Sequence, residues 1–490
     1  MKNKVGAGIL NAITESLYDN PIVVFREYVQ NSVDAFKHQQ GKTSLPQVRI
    51  FHKSKGCSNS ILFLDNGSGI PEEQFEDKMT QIGASFKLQT EDVGYKGIGR
   101  LSGISYCDAL YFVNILDFHQ ERFQIYGINC IKYRTLKKQQ NLSEMDFAEL
   151  MDSIGKTYNE QEISTFLKSE DWNAFSTQNK DMYNANQSGF LVVMKNISNL
   201  LMEVVTGENF LDNLGWLLPV DFSNDIFANE QCSDALEYIR QTIPESVKTY
   251  SITFNENVIL RPIKEISLRQ YSIVKNLDYG FAFINFSNSR MVIDKKNNFS
   301  GLKVYLDNFL LCNEDELIPS LARYKFLKSS STNEMIQSCR AIGGIIYISS
   351  KSMIFANARR TFIEVYDSES LDFLQKVGSC IEEINSTRYA LSRLHSEAKK
   401  VDQNQAKLTT LLERANKKIS ALANFDCNVE SEISNSKQDF ENLSSEEQCK
   451  FLKKKISIAL GKYITEFVEQ YTCSDYQNAV DDFIIWLKNK

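Results

Sequence analysis

The chain has 490 residues, which is enough for more than one domain with a sizeable core. Its composition, with 42% hydrophobic and 24% charged residues, is that of a soluble globular protein. The formal net charge of −7 argues against a generally basic nucleic-acid-binding surface, although a local basic patch remains open.

The sequence contains no apolar run long enough to span a bilayer, and its Met-Lys-Asn-Lys start does not resemble a signal peptide. The ten cysteines include no Cys-x-x-Cys pair, and the four histidines have no metal-like or triad-like spacing. We therefore expect a cytoplasmic protein with reduced thiols, without a zinc site, a disulfide framework or a membrane contact.

The first informative segment is a helix predicted after Pro21, a residue suited to the first turn of a helix. Apolar residues at 22, 23, 29 and 33 indicate one buried stripe along it. Glu27 and Asn31 are four residues apart and therefore share a helical face. The pair alone is weak evidence for a site, because Glu-x-x-x-Asn is common on solvated helices.

Residues 47–51 and 60–64 are predicted strands, the second one buried. The second strand ends in Asp65-Asn-Gly67-Ser-Gly69. These residue types are typical of an ordinary turn. They also suit a ligand site, because the glycines allow close approach to the backbone and Asp65 offers a fixed acceptor.

A glycine-rich segment follows, with glycines at 94, 97, 99 and 103 before an apolar run. Backbone N–H groups of such a loop at a helix start can bind phosphate. The segment is not a dinucleotide fingerprint, because no strand directly precedes it and no βαβ unit follows. It is not a Walker A loop either, because the Gly-Lys-Ser/Thr ending is missing.

Further strands are predicted at 109–115, 122–128 and 189–194, and the polar residues 134–187 between them are interpreted as an insertion. The order of elements predicts an α/β (α+β) fold, in which one face of a sheet is covered by helices.

Three motifs stand in order along this first part: Glu27-x-x-x-Asn31-x-x-Asp34-Ala, Asp65-x-Gly67-x-Gly69 and Gly94-x-x-Gly97-x-Gly99. Together they resemble the GHKL (Bergerat-fold) ATPases, which include gyrase, heat shock protein 90, histidine kinases and MutL. The resemblance covers residues 1 to about 200, and it implies that ATP and Mg²⁺ bind there.

Carried over position by position, the resemblance implies a role for each motif residue. Glu27 would orient and activate the attacking water, Asn31 would bind Mg²⁺, and Asp65 would accept the adenine amino group. Residues 76–99 would form a mobile lid. The other nucleotide-binding positions implied are Asp34, which instead could simply order the helix, and Gly69, Lys87, Gly94, Gly97, Ile98, Gly99 and Arg100.

One position departs from this pattern. Many relatives have a threonine on the closing strand that shares a water with adenine, whereas here Gly189 leads into Phe190. The departure puts the water-mediated contact with adenine in doubt, but not nucleotide binding.

The second half resembles the middle domain of heat shock protein 90 in residues 301–319 and 343–360. Arg360 falls where those proteins have an arginine that reaches the γ-phosphate and stabilises its charge. The alternative is that Arg360 is a surface charge beside a strand. The Gln-Thr-Lys motif of the gyrase and MutL relatives is absent from the matching region.

Residues 371–425 have apolar residues at alternating spacings of three and four, which predicts a coiled coil or, alternatively, a long helix packed on its own domain. The predicted domains are thus an ATPase domain at 1–205, a middle domain at 206–370, a coiled coil at 371–425 and a helical segment at 426–490.

Our leading hypothesis is a dimeric ATPase, similar to heat shock protein 90, that acts on a protein partner or client, for example in stress or phage defence. The alternative is an ATPase similar to MORC or MutL that acts on DNA. A non-hydrolysing module that uses ATP only as a ligand is a third class. A sensor histidine kinase is not expected, because no phospho-accepting helix precedes the ATPase motifs.

Overall fold

A computed structural model describes most of the chain as far as residue 398. The described residues are 20–37, 45–55, 58–81, 99–139, 145–168, 170–183, 188–263, 271–286, 299–327, 335–336, 338–339, 342–352, 354, 356, 362–363, 365, 367–398, 411, 413–414 and 417. The chain divides into two compact units, one of residues 1–389 with 420–425 and the other of residues 390–419 with 426–490. The predicted helical segment at 426–490 lies outside the described residues. No described helix is long and apolar enough to cross a membrane.

The first sheet has eight strands in the order β5-β4-β3-β6-β2-β1-β7-β8. All neighbours are antiparallel except β1 and β7, which pair in parallel. The strands are β1 (Gln47–Lys55), β2 (Ser58–Asp65), β3 (Cys107–Asp117), β4 (Arg122–Asn129), β5 (Gly155–Thr157), β6 (Gly189–Ile197), β7 (Ser251–Phe254) and β8 (Asn257–Val258). All five strands predicted in this part of the sequence form. The mixed α/β fold that was predicted is therefore confirmed.

One face of this sheet is covered by helices around a large apolar core. The central helix is α1 (Val23–Lys37), whose Val24, Phe25, Val29 and Val33 are buried. The ring of Phe25 packs edge-on against Phe63 of β2, with their centroids 5.3 Å apart. The other described helices on or near this face are α2 (Phe75–Thr80), α3 (Cys130–Lys138), α4 (Phe147–Ile154), α7 (Asn199–Val205) and α8 (Phe210–Leu217).

The opposite face of the sheet is also partly covered, which differs from the prediction. Helices α5 (Glu160–Leu167) and α6 (Glu170–Asn179) and a 3₁₀ turn (Lys180–Tyr183) pack there around a second apolar cluster. The sequence analysis did not predict this second layer, because residues 160–183 are polar overall and only a few of their large apolar side chains cover the sheet. Those that are most fully buried are Trp172, Phe175, Met182 and Tyr183.

The first sheet also takes strands from outside the predicted domain boundary. The parallel pairing of Ser251–Phe254 with β1 adds β7 and β8, which the sequence analysis had assigned to the middle domain. A four-residue strand carries little periodic signal, so only its pairing partner identifies it.

A second sheet has five strands in the order β12-β11-β13-β10-β9, with β11 and β13 parallel and the other pairs antiparallel. Helix α9 packs against β9 and β10, and helix α10 against β11 and β12. The elements are α9 (Glu230–Thr242), β9 (Tyr271–Asn276), β10 (Gly280–Phe286), β11 (Gly301–Leu306), β12 (Phe309–Asn313), α10 (Glu314–Arg323) and β13 (Gly343–Ile348).

A long helix, α11 (Ser368–Ala398), begins the predicted coiled coil. Four of the residues at the alternating three- and four-residue spacing of the predicted coiled coil are buried within the single chain, namely Val377, Cys380, Ile384 and Thr387. A Cβ added at Gly378 would overlap the Phe326 carbonyl oxygen, so the helix is in close contact with its own domain. This packing favours the alternative of a domain-packed helix for residues 371–389, and a coiled coil beyond them stays a prediction.

Candidate functional site

Helix α1 contacts the start of the turn that follows the glycine-rich segment. Glu27 is 4% exposed, and a Cβ added at Gly99 would overlap its Oε2 atom. The backbone of Gly99 therefore lies directly against the Glu27 carboxylate. On the other side, Nη2 of the buried Arg26 is 3.4 Å from Glu27 Oε1. The Gly99 backbone and the Arg26 guanidinium together set the position of this buried carboxylate, as a residue that orients a water requires.

Tyr28, the next residue of α1, holds the same turn through its hydroxyl. The Tyr28 hydroxyl accepts a hydrogen bond from Gly103 N (3.1 Å) and donates one to the Arg100 carbonyl (3.2 Å). Burial is the main cause that raises the pKa of Tyr28 well above its usual value, so the hydroxyl keeps its proton. The 3₁₀ turn Gly99–Ser105 is thereby fixed to the helix that carries Glu27.

Ser32, one turn further along α1, holds Asp65 at the end of β2. The Ser32 hydroxyl donates to Asp65 Oδ2 (2.7 Å), and Gly67 N donates to Asp65 Oδ1 (2.8 Å). Asp65 is 4% exposed. Both carboxylate oxygens are thus oriented by these hydrogen bonds.

The turn after Asp65 is held by an asparagine from the middle of β3. Gly69 has φ +65°, which an L side chain rarely adopts. Asn114, which is fully buried, accepts from Ile70 N and donates to Ile70 O, both at 2.8 Å, and it also donates to Gln124 Oε1 (2.9 Å). Sequence reasoning missed Asn114, although a single asparagine within a strongly apolar strand was a visible signal.

The far face of the sheet also contacts Asp65. Tyr183, from the 3₁₀ turn after α6, is fully buried and donates a hydrogen bond to the Asp65 backbone carbonyl (2.9 Å). Its ring stacks on Phe118 at a centroid distance of 4.3 Å. A Cβ added at Gly189 would overlap the Asp65 carbonyl oxygen. Close packing therefore requires glycine at this position of the strand on which many of the ATPases that the sequence resembles have a threonine.

The two remaining predicted residues of α1 differ in accessibility. Asn31 is half-buried, one turn after Glu27, as a metal ligand at the edge of a pocket requires. Asp34 is fully buried. Its charge is among the causes, after burial and Glu245, that raise the pKa of Tyr250. Asp34 therefore lies below the surface of the site, where it can order the helix but has no exposed atom to offer a ligand.

Arg100 links the two described ends of the predicted lid. Its Nη2 donates a hydrogen bond to the carbonyl of Gln81, the last described residue in the first part of the predicted lid at 76–99. The guanidinium thus lies beside the site but bonds to the backbone. The other predicted residues, namely Lys87, Gly94, Gly97, Ile98 and Arg360, lie outside the described residues.

Among the described residues, no group of three or more His, Cys, Asp or Glu side chains is arranged to hold a metal ion. An Mg²⁺ ion at this site would therefore need oxygen ligands from elsewhere, such as the Asn31 amide and the phosphates of a bound nucleotide. The half-buried amide of Asn31 and the buried carboxylate of Glu27 fit such an ion, because both offer oxygen atoms.

One sequence family matches the part of the chain that contains this site. The sequence profile of the histidine kinase-, DNA gyrase B- and HSP90-like ATPase family matches residues 19–160. Among solved structures, the ATPase region of Saccharomyces cerevisiae topoisomerase II aligns at 12% identity with a TM-score of 0.35, over 74% of this chain and 83% of that one. No curated protein sequence matches.

The matched segment contains α1, the Asp65 loop and the Gly99–Ser105 turn, which are the parts that form the site. It excludes β6, which pairs with β2 in the centre of the same sheet. Residues 19–160 are therefore similar to the ATPase domains of this family, and within them helix α1 contacts both the Asp65 loop and the Gly99–Ser105 turn.

Proposed function

We propose that this chain hydrolyses ATP in the presence of Mg²⁺ and uses the reaction as a conformational switch. The observation that supports the proposal is the contact between the Glu27 carboxylate and the Gly99 backbone. A phosphate bound by the glycine-rich loop would then lie within reach of a water held by Glu27. Phosphoryl transfer depends mainly on such positioning and on charge neutralisation.

Asp65 is the residue that we propose to select adenine. Ser32 and Gly67 N each donate a hydrogen bond to one of its two oxygens, so the carboxylate keeps one orientation. A carboxylate oriented in this way can accept a hydrogen bond from the exocyclic amino group of adenine. Guanine has a carbonyl at the equivalent position and would face the carboxylate with a second acceptor.

Asn31 is the proposed magnesium ligand, and the ion, when bound, would neutralise charge on the phosphates. We also propose that Arg360, which follows β13 in the sequence, reaches the γ-phosphate. If it does, Arg360→Ala lowers the rate of ATP turnover, whereas unchanged turnover would leave Arg360 as a surface charge.

A contact between α1 and the second sheet supports the switch. Lys37 in the last turn of α1 has its Nζ 3.6 Å from Oδ2 of Asp307 in the turn between β11 and β12. A shift of α1 on nucleotide binding would therefore act directly on that turn.

We further propose that the chain forms a homodimer and acts on a protein partner. Light scattering tests the dimer and pull-down experiments test the partner, each with and without ATP.

The central experiment uses two substitutions and one control. Glu27→Ala is expected to bind ATP but to lose turnover, and Asp65→Asn is expected to lose binding itself. Glu72→Gln removes an exposed carboxylate that pairs with Arg122 and serves as the control. Wild-type turnover by Glu27→Ala would refute the role of Glu27. Single-turnover hydrolysis at high enzyme concentration separates an ATPase from a module that only binds ATP.

A further inference from the structure

An ion pair on the face of the first sheet opposite to α1 holds the 3₁₀ turn Lys180–Tyr183. Arg49 of β1 points to this face, because Leu64, its neighbour in the register of β2, belongs to the apolar cluster there. Its Nη1 donates to Asp181 Oδ1 at 2.9 Å and its Nη2 donates to Asp181 Oδ2. Nη1 also donates to Asn179 Oδ1 at 3.3 Å. A guanidinium that contacts both oxygens of one carboxylate fixes the orientation of the turn as well as its distance from the sheet.

The turn held in this way ends in Tyr183, whose hydroxyl donates to the Asp65 carbonyl at 2.9 Å. Because Tyr183 is fully buried, solvent does not compete for this hydrogen bond. The Tyr183 ring stacks on Phe118, and its backbone carbonyl accepts a hydrogen bond from His119 Nε2 at 2.9 Å. The hydroxyl is therefore held in one position by contacts on its ring, its backbone and the turn that precedes it.

Asp65 is thereby held from both faces of the sheet. On the α1 side, Ser32 and Gly67 N orient its carboxylate. On the far side, Tyr183 holds the backbone from which that carboxylate extends. A carboxylate keeps its position relative to a ligand only if its own backbone stays in place, so Tyr183 can act on the site without touching a ligand.

We propose that Tyr183, held by the ion pair of Arg49 with Asp181, is a positioning residue for recognition of the nucleotide base by Asp65. The inference rests on the proposed role of Asp65 in binding adenine. It gives a function to the layer formed by residues 160–183, which sets affinity and base selectivity from the opposite face of the sheet. It does not involve Glu27, so it predicts an effect on nucleotide binding and none on the rate of hydrolysis at saturation.

Tyr183→Phe keeps the ring and removes only the hydroxyl. Isothermal titration calorimetry well below the Tm should show a Kd for ATP that is about fivefold higher, because one buried hydrogen bond is lost. The preference for ATP over GTP should fall, whereas kcat at saturating ATP should stay within about twofold of the wild type. Unchanged affinity and unchanged preference in Tyr183→Phe would overturn the proposal.

Tyr305→Phe is the matched control, because Tyr305 is also fully buried and donates to a backbone carbonyl, that of Trp216, at 2.7 Å in the region of the second sheet. It should lower the Tm as Tyr183→Phe does and leave the Kd for ATP unchanged. An equal rise of the Kd in both variants would mean a general loss of stability and would contradict a positioning role.

The role of Arg49 is tested by a double-mutant cycle. Arg49→Gln should raise the Kd for ATP about threefold, Arg49→Lys less, and Arg49→Gln should add nothing in the Tyr183→Phe background. Arg240→Gln breaks an arginine–aspartate pair of similar exposure, that with Asp221, and should leave the Kd unchanged. Additive effects of Arg49→Gln and Tyr183→Phe would refute the inference that Arg49 acts through Tyr183.

Hydrogen exchange without nucleotide distinguishes a failure of this inference from a failure of the proposed function. Peptides that contain Gly67, whose amide donates to Asp65, should exchange faster in Tyr183→Phe than in the wild type or Tyr305→Phe. If the wild type binds ATP and Tyr183→Phe changes neither exchange nor Kd, the positioning role is wrong and the proposed function stands. If the wild type binds no ATP, the proposed function and base recognition by Asp65 are both wrong.

Discussion

Gly99→Ala tests the central contact of the site, because its added methyl group would overlap the Glu27 carboxylate. The overlapping atom is the end of a side chain, whereas Cδ of Glu27 is 3.4 Å away and its Cβ is 3.6 Å away. The strain is therefore relieved when the carboxylate moves by roughly 1 Å, rather than by a change of fold. A displacement of about 1 Å from the reacting geometry costs about 100-fold in rate.

We therefore expect Gly99→Ala to retain its Tm within a few degrees while kcat for ATP hydrolysis falls about 100-fold. Coupled-enzyme measurement of phosphate or ADP release gives the rate, and calorimetry gives the Tm. Gly207→Ala is the control, because its added Cβ would meet only carbonyl oxygens of the preceding helix at 3.3 and 3.4 Å. A wild-type kcat in Gly99→Ala would refute the argument that this contact positions Glu27.

Three further predictions concern binding, folding and pH. Ser32→Ala removes the 2.7 Å hydrogen bond to Asp65, and isothermal titration calorimetry should show ATP binding about tenfold weaker. Asn114→Ala leaves the Ile70 backbone groups unsatisfied, and urea denaturation should show a loss of about 3 kcal/mol in the free energy of unfolding. Burial raises the pKa of Tyr126 to about 12, above the value of about 10 in an unfolded chain. The folded state therefore holds this proton more tightly, so its stabilising contribution is complete below pH 10 and is lost as the pH rises to 12. Circular dichroism between pH 9 and pH 12 should show a smaller loss of stability in Tyr126→Phe than in the wild type.

The residues proposed to contact the ligand could be picked out from the sequence because they lie in local patterns. The four-residue spacing of Glu27 and Asn31 follows from the helical period alone. The Asp65 loop is marked by turn residues directly after an apolar strand, and Gly99 belongs to a run of glycines. Each of these signals needs only a few neighbouring residues, and their order along the chain made the combination specific.

The residues that hold the site in place could not be predicted in the same way. Ser32 and Asp65 are 33 residues apart, Asn114 and Ile70 are 44 apart, and Tyr183 and Asp65 are 118 apart. These hydrogen bonds form only because the packing of α1 on β2, the strand order β3-β6-β2 and the packing of residues 160–183 bring the respective partners together. Local periodicity carries no information about such pairings.

Asp34 shows the same difference between pattern and packing. Its place in the first motif implied a nucleotide contact, but the tertiary structure buries it completely. The sequence by itself determined which helix and loops are proposed to carry the chemistry, because helix period, turn residues and glycine are local properties of the chain. The tertiary structure decided which side chains orient Asp65 and Glu27, because burial and hydrogen bonding depend on what the rest of the fold places beside each residue.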